Sequence, residues 1–194
     1  VLLFYDTETT GLPQWKGSHT DPKQPDVIQL GAILANEDGS VIQEFETLVN
    51  PSAYNENWSI NPFAQAAHGL SKETILENGR CGLEAFSDFL ALTKEIDLAI
   101  CHNVSFDRLL VQVALTRQDR ISELTEFERL PTYCTMTTST PLCKLKNKRG
   151  GAKWPKLDEL HRFLFEETFE GAHDALNDVR ATMRCYFELK ERGY

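Results

Sequence analysis

Val1-Leu2-Leu3-Phe4-Tyr5-Asp6-Thr7-Glu8-Thr9-Thr10-Gly11 opens the chain and decides how the rest is read. Its first five residues are an unbroken apolar run, the pattern of a strand buried on both faces. Such strands belong to the middle of a sheet covered by helices on both sides. The run ends in Asp6 and Glu8, two positions apart, and alternate residues of a strand share a face. Both carboxylates therefore point the same way at the carboxyl end of a central strand, where open α/β sheets place their sites. Two close carboxylates raise one another's pKa unless a cation neutralises them. A hard divalent ion such as Mg²⁺ or Mn²⁺ prefers oxygen ligands and suits that task. Taken alone, the pair reads equally well as an acidic, solvated strand end.

Outward from this strand, Leu12 to Pro25 holds prolines, a glycine and many polar residues, the composition of a loop. Val27–Leu34 and Val41–Val49 are β-rich runs joined by Asn36-Glu37-Asp38-Gly39, a hairpin turn. Short helices are expected around Phe63–His68 and Ser71–Asn78. Ala85, Phe86, Phe89, Leu90 and Leu92 have helical spacing within Glu84–Thr93. Leu98–Cys101 reads as a short central strand, followed by a helix that Ser105 can cap. Thr132–Met136 is a further candidate strand, and Leu157–Phe165 returns to helical spacing. A last helix from about Asp174 to Arg192 carries the stripe Leu176, Val179, Met183, Tyr186 and Phe187, with Gly193 to end it. Strands first, then strands alternating with helices, predict an α/β fold with a mixed sheet, in one domain spanning 1–194.

Composition narrows the function classes. With 194 residues, 41% hydrophobic and 25% charged, the chain can bury a real core and is too apolar for a disordered acidic tail. No apolar run approaches the length of a membrane span, and no signal-peptide pattern opens the chain. Because Val1 lies inside an apolar run, a few natural residues are expected to be missing before it. Cys81, Cys101, Cys134, Cys143 and Cys185 are odd in number and widely spaced, with no C-x-x-C pair. That excludes a disulfide framework or a structural zinc site and points to a reducing, cytoplasmic setting. The net charge of −9 argues against holding nucleic acid by general surface charge. One segment breaks the rule. Leu142–Lys156 carries Lys144, Lys146, Lys148, Arg149, Lys153 and Lys156 with no acidic residue, and without it the rest of the chain stands at −15. Gly150-Gly151 suggests a flexible arm there, and Trp154 could stack on a base. A solvated loop with Trp154 packed underneath is the plainer reading of the same residues.

Two further segments carry chemistry. His102-Asn103-Val104-Ser105-Phe106-Asp107 places Asp107 in the first turn of a helix, commonly just a favourable dipole partner. In His173-Asp174-Ala175-Leu176-Asn177-Asp178, Asp178 sits one turn inside the last helix. Five residues along a helix would separate the two side chains by roughly 140°. His173 therefore makes sense only if it precedes the helix and folds back over the site. An imidazole titrates near neutrality and suits a general base. Read singly, a loop histidine is usually a surface residue; His19 and His161 read as surface residues too, and His102 as a packed strand-end residue.

Together the motifs are more specific than any one of them. Phe4 through Leu12, then His102-Asn103 with Phe106-Asp107, then His173 with Asp178 resemble the DEDDh family of 3′–5′ exonucleases. This is the DnaQ-like group, which includes the proofreading subunit of bacterial replicative polymerases. Leu48-Val49-Asn50-Pro51, Ala67-His68-Gly69-Leu70-Ser71 and Leu157-Asp158-Glu159-Leu160 look like the family's connecting signatures, so the resemblance runs from Phe4 to about Tyr186. It implies a ribonuclease-H-like, mixed five-stranded sheet flanked by helices. It implies that Asp6, Glu8, Asp107 and Asp178 hold two divalent cations, Mg²⁺ or Mn²⁺, and that His173 is the general base. The implied substrate is nucleic acid with a free 3′ end, DNA in preference to RNA, with a polymerase or other replication or repair protein as companion and no membrane.

Beside the ligands, Thr9 and Thr10 could help seat the terminal nucleotide, while Lys146, Lys148, Arg149 and Trp154 would hold the strand. An enzyme trimming RNA or short oligonucleotides would carry the same motifs, because contacts to a 2′-hydroxyl depend on pocket shape. A non-catalytic nucleic-acid-binding module would not need four carboxylates and a histidine. Two features depart from the family pattern: Cys134-Thr135 stands where many relatives have Asp-Thr, and the stretches 14–25 and 142–156 look longer than in compact relatives.

Overall fold

Burial on both faces is what β1 (Leu2–Thr9) shows in the computed structural model, which describes residues 1–194. Leu3 and Tyr5 face one way, into a cluster with Phe86, Phe89, Leu110 and Val111. Leu2 and Phe4 face the other way, against Leu176, Val179 and Tyr186. The strand runs on through the acidic residues to Thr9 rather than stopping at Tyr5, because β2 (Val27–Ala35) pairs with it antiparallel along the whole length.

β3 (Val41–Asn50) pairs antiparallel with β2 around the turn at Asn36–Gly39. On the other side of β1, β5 (Leu98–Cys101) and β6 (Thr132–Cys134) add in parallel. The sheet is six-stranded, in the order β4-β3-β2-β1-β5-β6, one strand more than expected. The addition, β4 (Arg80–Cys81), is a two-residue pairing with Val49–Asn50 and too short to leave a periodic signal.

Eight helices accompany the sheet. α1 (Pro62–His68), α2 (Lys72–Asn78) and α3 (Gly82–Leu92) follow β3, and α4 (Val104–Arg117) and α5 (Ile121–Glu128) lie between β5 and β6. α6 (Thr135–Cys143), α7 (Leu157–Phe165) and α8 (Ala175–Glu191) complete the chain. Three local expectations are corrected. The β6 strand ends at Cys134, whose thiol caps α6 by accepting from the Thr137 amide, so Met136 is helical. The N-cap of α4 is Asn103, in a left-handed conformation (φ 73°), and Ser105 lies inside the helix. His161 is buried, at 2% exposure. It falls on the apolar stripe of α7 with Leu157, Leu160 and Leu164, a helical spacing that the sequence displays openly.

One glycine fixes how α8 meets the sheet. Gly31 stands opposite Asp6, and a Cβ there would lie 2.6 Å from the backbone of Ala175 and Leu176. Lacking a side chain, it lets the first turn of α8 press against β2 and bring Asp178 towards β1.

Candidate active site

β5 pairs with β1 only at Leu2–Phe4, so Asp6–Glu8 project past the end of the parallel strands. By strand alternation Asp6 and Glu8 lie on the α8 face and Thr7 on the α4 face. The contacts agree. Asp107, in the first turn of α4 and 2% exposed, accepts hydrogen bonds from the Thr7 amide (3.0 Å) and the Thr7 hydroxyl (2.8 Å). On the other face, ligand atoms of Glu8, Asp178 and His173 all lie within 4.8 Å of one another.

His173 precedes α8, as the spacing requires. The N-cap of that helix is Asp174, whose carboxylate accepts from the Asn177 amide. His173 itself has a left-handed backbone (φ 68°), and its amide donates to both carboxylate oxygens of Asp178, at 3.3 and 3.4 Å. Gly171, two residues earlier, also has positive φ (73°), and a Cβ there would fall 2.3 Å from the Asn177 side chain. This tight reversal turns the imidazole back towards Glu8.

The four carboxylates and His173 line one cleft of about 620 Å³. Its floor is acidic and its walls are largely apolar: Leu12, Phe106, Trp154 and Phe169 contribute. Burial, then the charges of Asp107, Asp178, Glu8 and Asp174, hold the Asp6 carboxyl well above the usual range. Burial and the charges of Asp178, Asp107 and Asp174 push Glu8 up to about 8. Asp107 is raised by burial, against the pull of its Thr7 hydrogen bonds. Burial raises Asp178 to about 6, opposed by His173. Oxygen donors concentrated in this way, with one another's charge as the main company, fit hard divalent cations.

The other predicted residues fare differently. Trp154 lines the cleft and is 67% exposed. Thr9 and Thr10 do not reach it; both are buried, the Thr9 hydroxyl donating to the Gly11 carbonyl and the Thr10 hydroxyl accepting from the Asp26 amide. Their hydroxyls fasten the chain leaving β1. Lys146, Lys148 and Arg149 are exposed on a small hairpin away from the cleft lining. The hairpin is not the loose arm that Gly150-Gly151 suggested. The Asn147 side chain accepts from the Arg149 and Gly151 amides, and Lys146 bridges to Ala152. Lys153 is paired with Glu159, while Lys156 lines the cleft.

Thr7 and Gln29 are supporting groups that the sequence does not announce, and His102 is the packed strand-end residue expected of it. Thr7 orients Asp107. Gln29 on β2 donates to Asp174 and accepts from the Ala175 amide, tying the start of α8 to the sheet. His102, its pKa lowered to about 4 by burial, donates from Nε2 to the Pro155 carbonyl and meets the Thr135 hydroxyl at Nδ1 (2.9 Å). It pins the Trp154–Pro155 wall to the end of β5.

Raised carboxyl pKa values make a stability prediction. In the folded chain Glu8 and its neighbours keep protons that the unfolded chain releases near pH 4–5, so stability falls as pH rises towards about 8. His68 and His102, lowered by burial, act in the opposite sense below pH 6.5 and are silent above it. The clean window is therefore pH 6.5 to 8. There the metal-free protein is expected to lose melting temperature with rising pH, and saturating Mg²⁺ or Mn²⁺ to restore it, by calorimetry in EDTA against added cation. Metal-free melting that does not vary across this window would contradict the site electrostatics.

Sheet and helices together make a ribonuclease-H-like fold with an acidic cleft at the end of its central strand. The chain belongs to the RNase T exonuclease family, whose model matches residues 3–186, and its motifs are of the DEDDh, DnaQ-like type. It is 27% identical over 191 residues to the PolC-type DNA polymerase III of Thermotoga petrophila, a match covering 98% of this chain and 12% of that protein. Among solved structures it resembles the zinc-bound complex of E. coli exonuclease I with single-stranded DNA, with a TM-score of 0.72 and 20% identity. It also resembles exonuclease I of Methylocaldum szegediense, with a TM-score of 0.74 and 21% identity. Each match covers 99% of this chain and 40% of the exonuclease I chain. No helix is long and apolar enough to cross a membrane.

Proposed function

We propose that residues 1–194 form a single domain that hydrolyses phosphodiester bonds stepwise from the 3′ end of DNA, at single-stranded or frayed ends, releasing 5′-mononucleotides. The observation that carries this reading is the convergence of Asp6, Glu8, Asp107, Asp178 and His173 on one cleft. The four carboxylates would hold two divalent cations, Mg²⁺ or Mn²⁺. When bound, such ions act as Lewis acids, offsetting phosphate charge and easing deprotonation of the attacking water. His173 takes the proton from that water as general base. Its position beside Glu8 and Asp178 supports this role. Thr7 keeps Asp107 turned towards the cleft, and Phe106 and Trp154 offer flat apolar faces to an unstacked terminal base.

The single-stranded DNA bound by the exonuclease I relative supports a DNA substrate. The PolC-type relative supports work beside a polymerase. Five free cysteines fit a reducing, intracellular setting. Release of 5′-mononucleotides from DNA with Mg²⁺, halted by EDTA, tests the proposal; a protein that binds oligonucleotides but releases nothing would be a binding module instead.

The basic hairpin is the second part of the reading. Lys146, Lys148 and Arg149 form no ion pair and lie on the hairpin that leads into Trp154 and Lys156 of the cleft lining, so they are the cations offered to the phosphates of a longer strand. Replacing these three residues with Ser is expected to raise KM for long substrates. It should also flatten the log–log salt dependence of binding by about 2, at ~0.7 per phosphate contact on a single strand. Cleavage of a saturating dinucleotide, too short to reach the hairpin, should barely change. Unaltered affinity and salt slope on long substrates would move the grip elsewhere.

A further inference from the structure

His173 ends the segment 166–173 that runs from α7 to the Asp174 N-cap of α8 and also supplies Phe169 and Ala172 to the cleft. Glu166 (φ 60°) is the left-handed C-cap of α7, but His173 (φ 68°) is left-handed with no helix end to account for it, a conformation that non-glycine residues hold when their surroundings enforce it. Something must hold this segment in place.

The buried side chain beneath it is His161. Its Nδ1 lies 3.1 Å from the Glu167 carbonyl, and its Nε2 lies 3.3 Å from Nη1 of Arg184. A carbonyl can only accept and a guanidinium only donate, so the partners assign the tautomer: Nδ1–H donates to the connection and Nε2 accepts from α8. The ring also packs on Phe169, with centroids 5.3 Å apart, and on Phe165, 4.8 Å apart. Arg184 closes the arrangement by pairing with the Glu167 carboxylate and lying 4.0 Å over the Phe165 ring. One imidazole thus grips the connection at two points, the Glu167 backbone and the Phe169 ring, the latter part of the cleft wall.

We infer that His161 is a positioning residue for His173: it sets the path of the 166–173 connection and so the placement of the imidazole over Glu8 and Asp178. The inference rests on reading His173 as the general base. A carboxylate held by strand or helix needs no such support, whereas a base on an irregular segment does. A misplacement of about 1 Å can cost on the order of 10²-fold in rate.

The test is a double-mutant cycle on single-turnover hydrolysis. His161→Phe keeps an aromatic ring against Phe169 but removes both hydrogen bonds. It is expected to lower kcat by about 10- to 100-fold with KM and Mg²⁺ affinity unchanged. His161→Asn can restore a donor near the Nδ1 position, and should recover much of the loss. In a His173→Ala background, His161→Phe should change turnover less than about twofold, because both substitutions remove the same contribution. Equal losses in the two backgrounds, or a loss confined to KM or to metal affinity, would overturn the positioning role. If His173→Ala alone left turnover intact, the general-base reading would fall, and that result is visible separately in the first arm of the cycle.

Discussion

Asp6→Ala is expected to leave a folded protein with hydrolysis lowered by about 10³-fold or more, roughly 4 kcal/mol in the barrier. Asp6 is the carboxylate most surrounded by others: burial and the charges of Asp107, Asp178, Glu8 and Asp174 all act on it. Removing it takes away a cation ligand and, in the metal-free protein, relieves repulsion. Melting in EDTA near pH 8 should therefore be no lower than in the parent chain, or slightly higher. Melting scans and cleavage assays on the same preparation separate the two effects. Robust Mg²⁺-dependent cleavage by a folded Asp6→Ala protein would remove Asp6 from the metal site.

His173→Ala is expected to lower turnover by about 10²–10⁴-fold, the range for loss of a general base. Cation affinity should survive, since the carboxylates remain and the His173 contact to Asp178 runs through its backbone amide, which alanine retains. Calorimetric titration with Mn²⁺ beside single-turnover kinetics makes the distinction. Parallel loss of affinity and turnover would make the imidazole a ligand, a role that its position within 4.8 Å of Glu8 and Asp178 oxygens makes worth testing.

What the sequence disclosed follows from its periodicities. Strand alternation put Asp6 and Glu8 on one face, and helix arithmetic forced His173 out of α8; both are local rules acting on neighbouring residues. The sheet core was legible for the same reason, since Val1–Tyr5 and the stripe on α8 carry strong apolar patterns. Long-range partners were not. Thr7 looks like a spacer between two acids until Asp107, 100 residues away, is seen to take both of its donors. Gln29 and Asp174 meet across 145 residues, and nothing in either segment announces the other. For Thr9 and Thr10, adjacency in sequence to Glu8 does not reveal which way a hydroxyl turns once the strand bulges after Glu8. The hairpin at Asn147 deceived in the opposite sense, since paired glycines mark a turn as readily as a loose arm. His161 is legible from its place on the α7 stripe, although a histidine beside Arg162 and near Asp158 and Glu159 resembles a surface residue.

The central claim is that this cleft removes nucleotides from a 3′ end. The most direct measurement is parallel digestion of one DNA oligomer labelled at its 5′ end and at its 3′ end, with Mg²⁺ and with EDTA, beside an RNA of the same sequence. The account predicts a ladder of shortening products from the 5′-labelled DNA, immediate release of labelled mononucleotide from the 3′-labelled DNA, slower loss of RNA, and no products in EDTA. Mononucleotide released first from the 5′ label, internal fragments from either label, or digestion that persists in EDTA would contradict it.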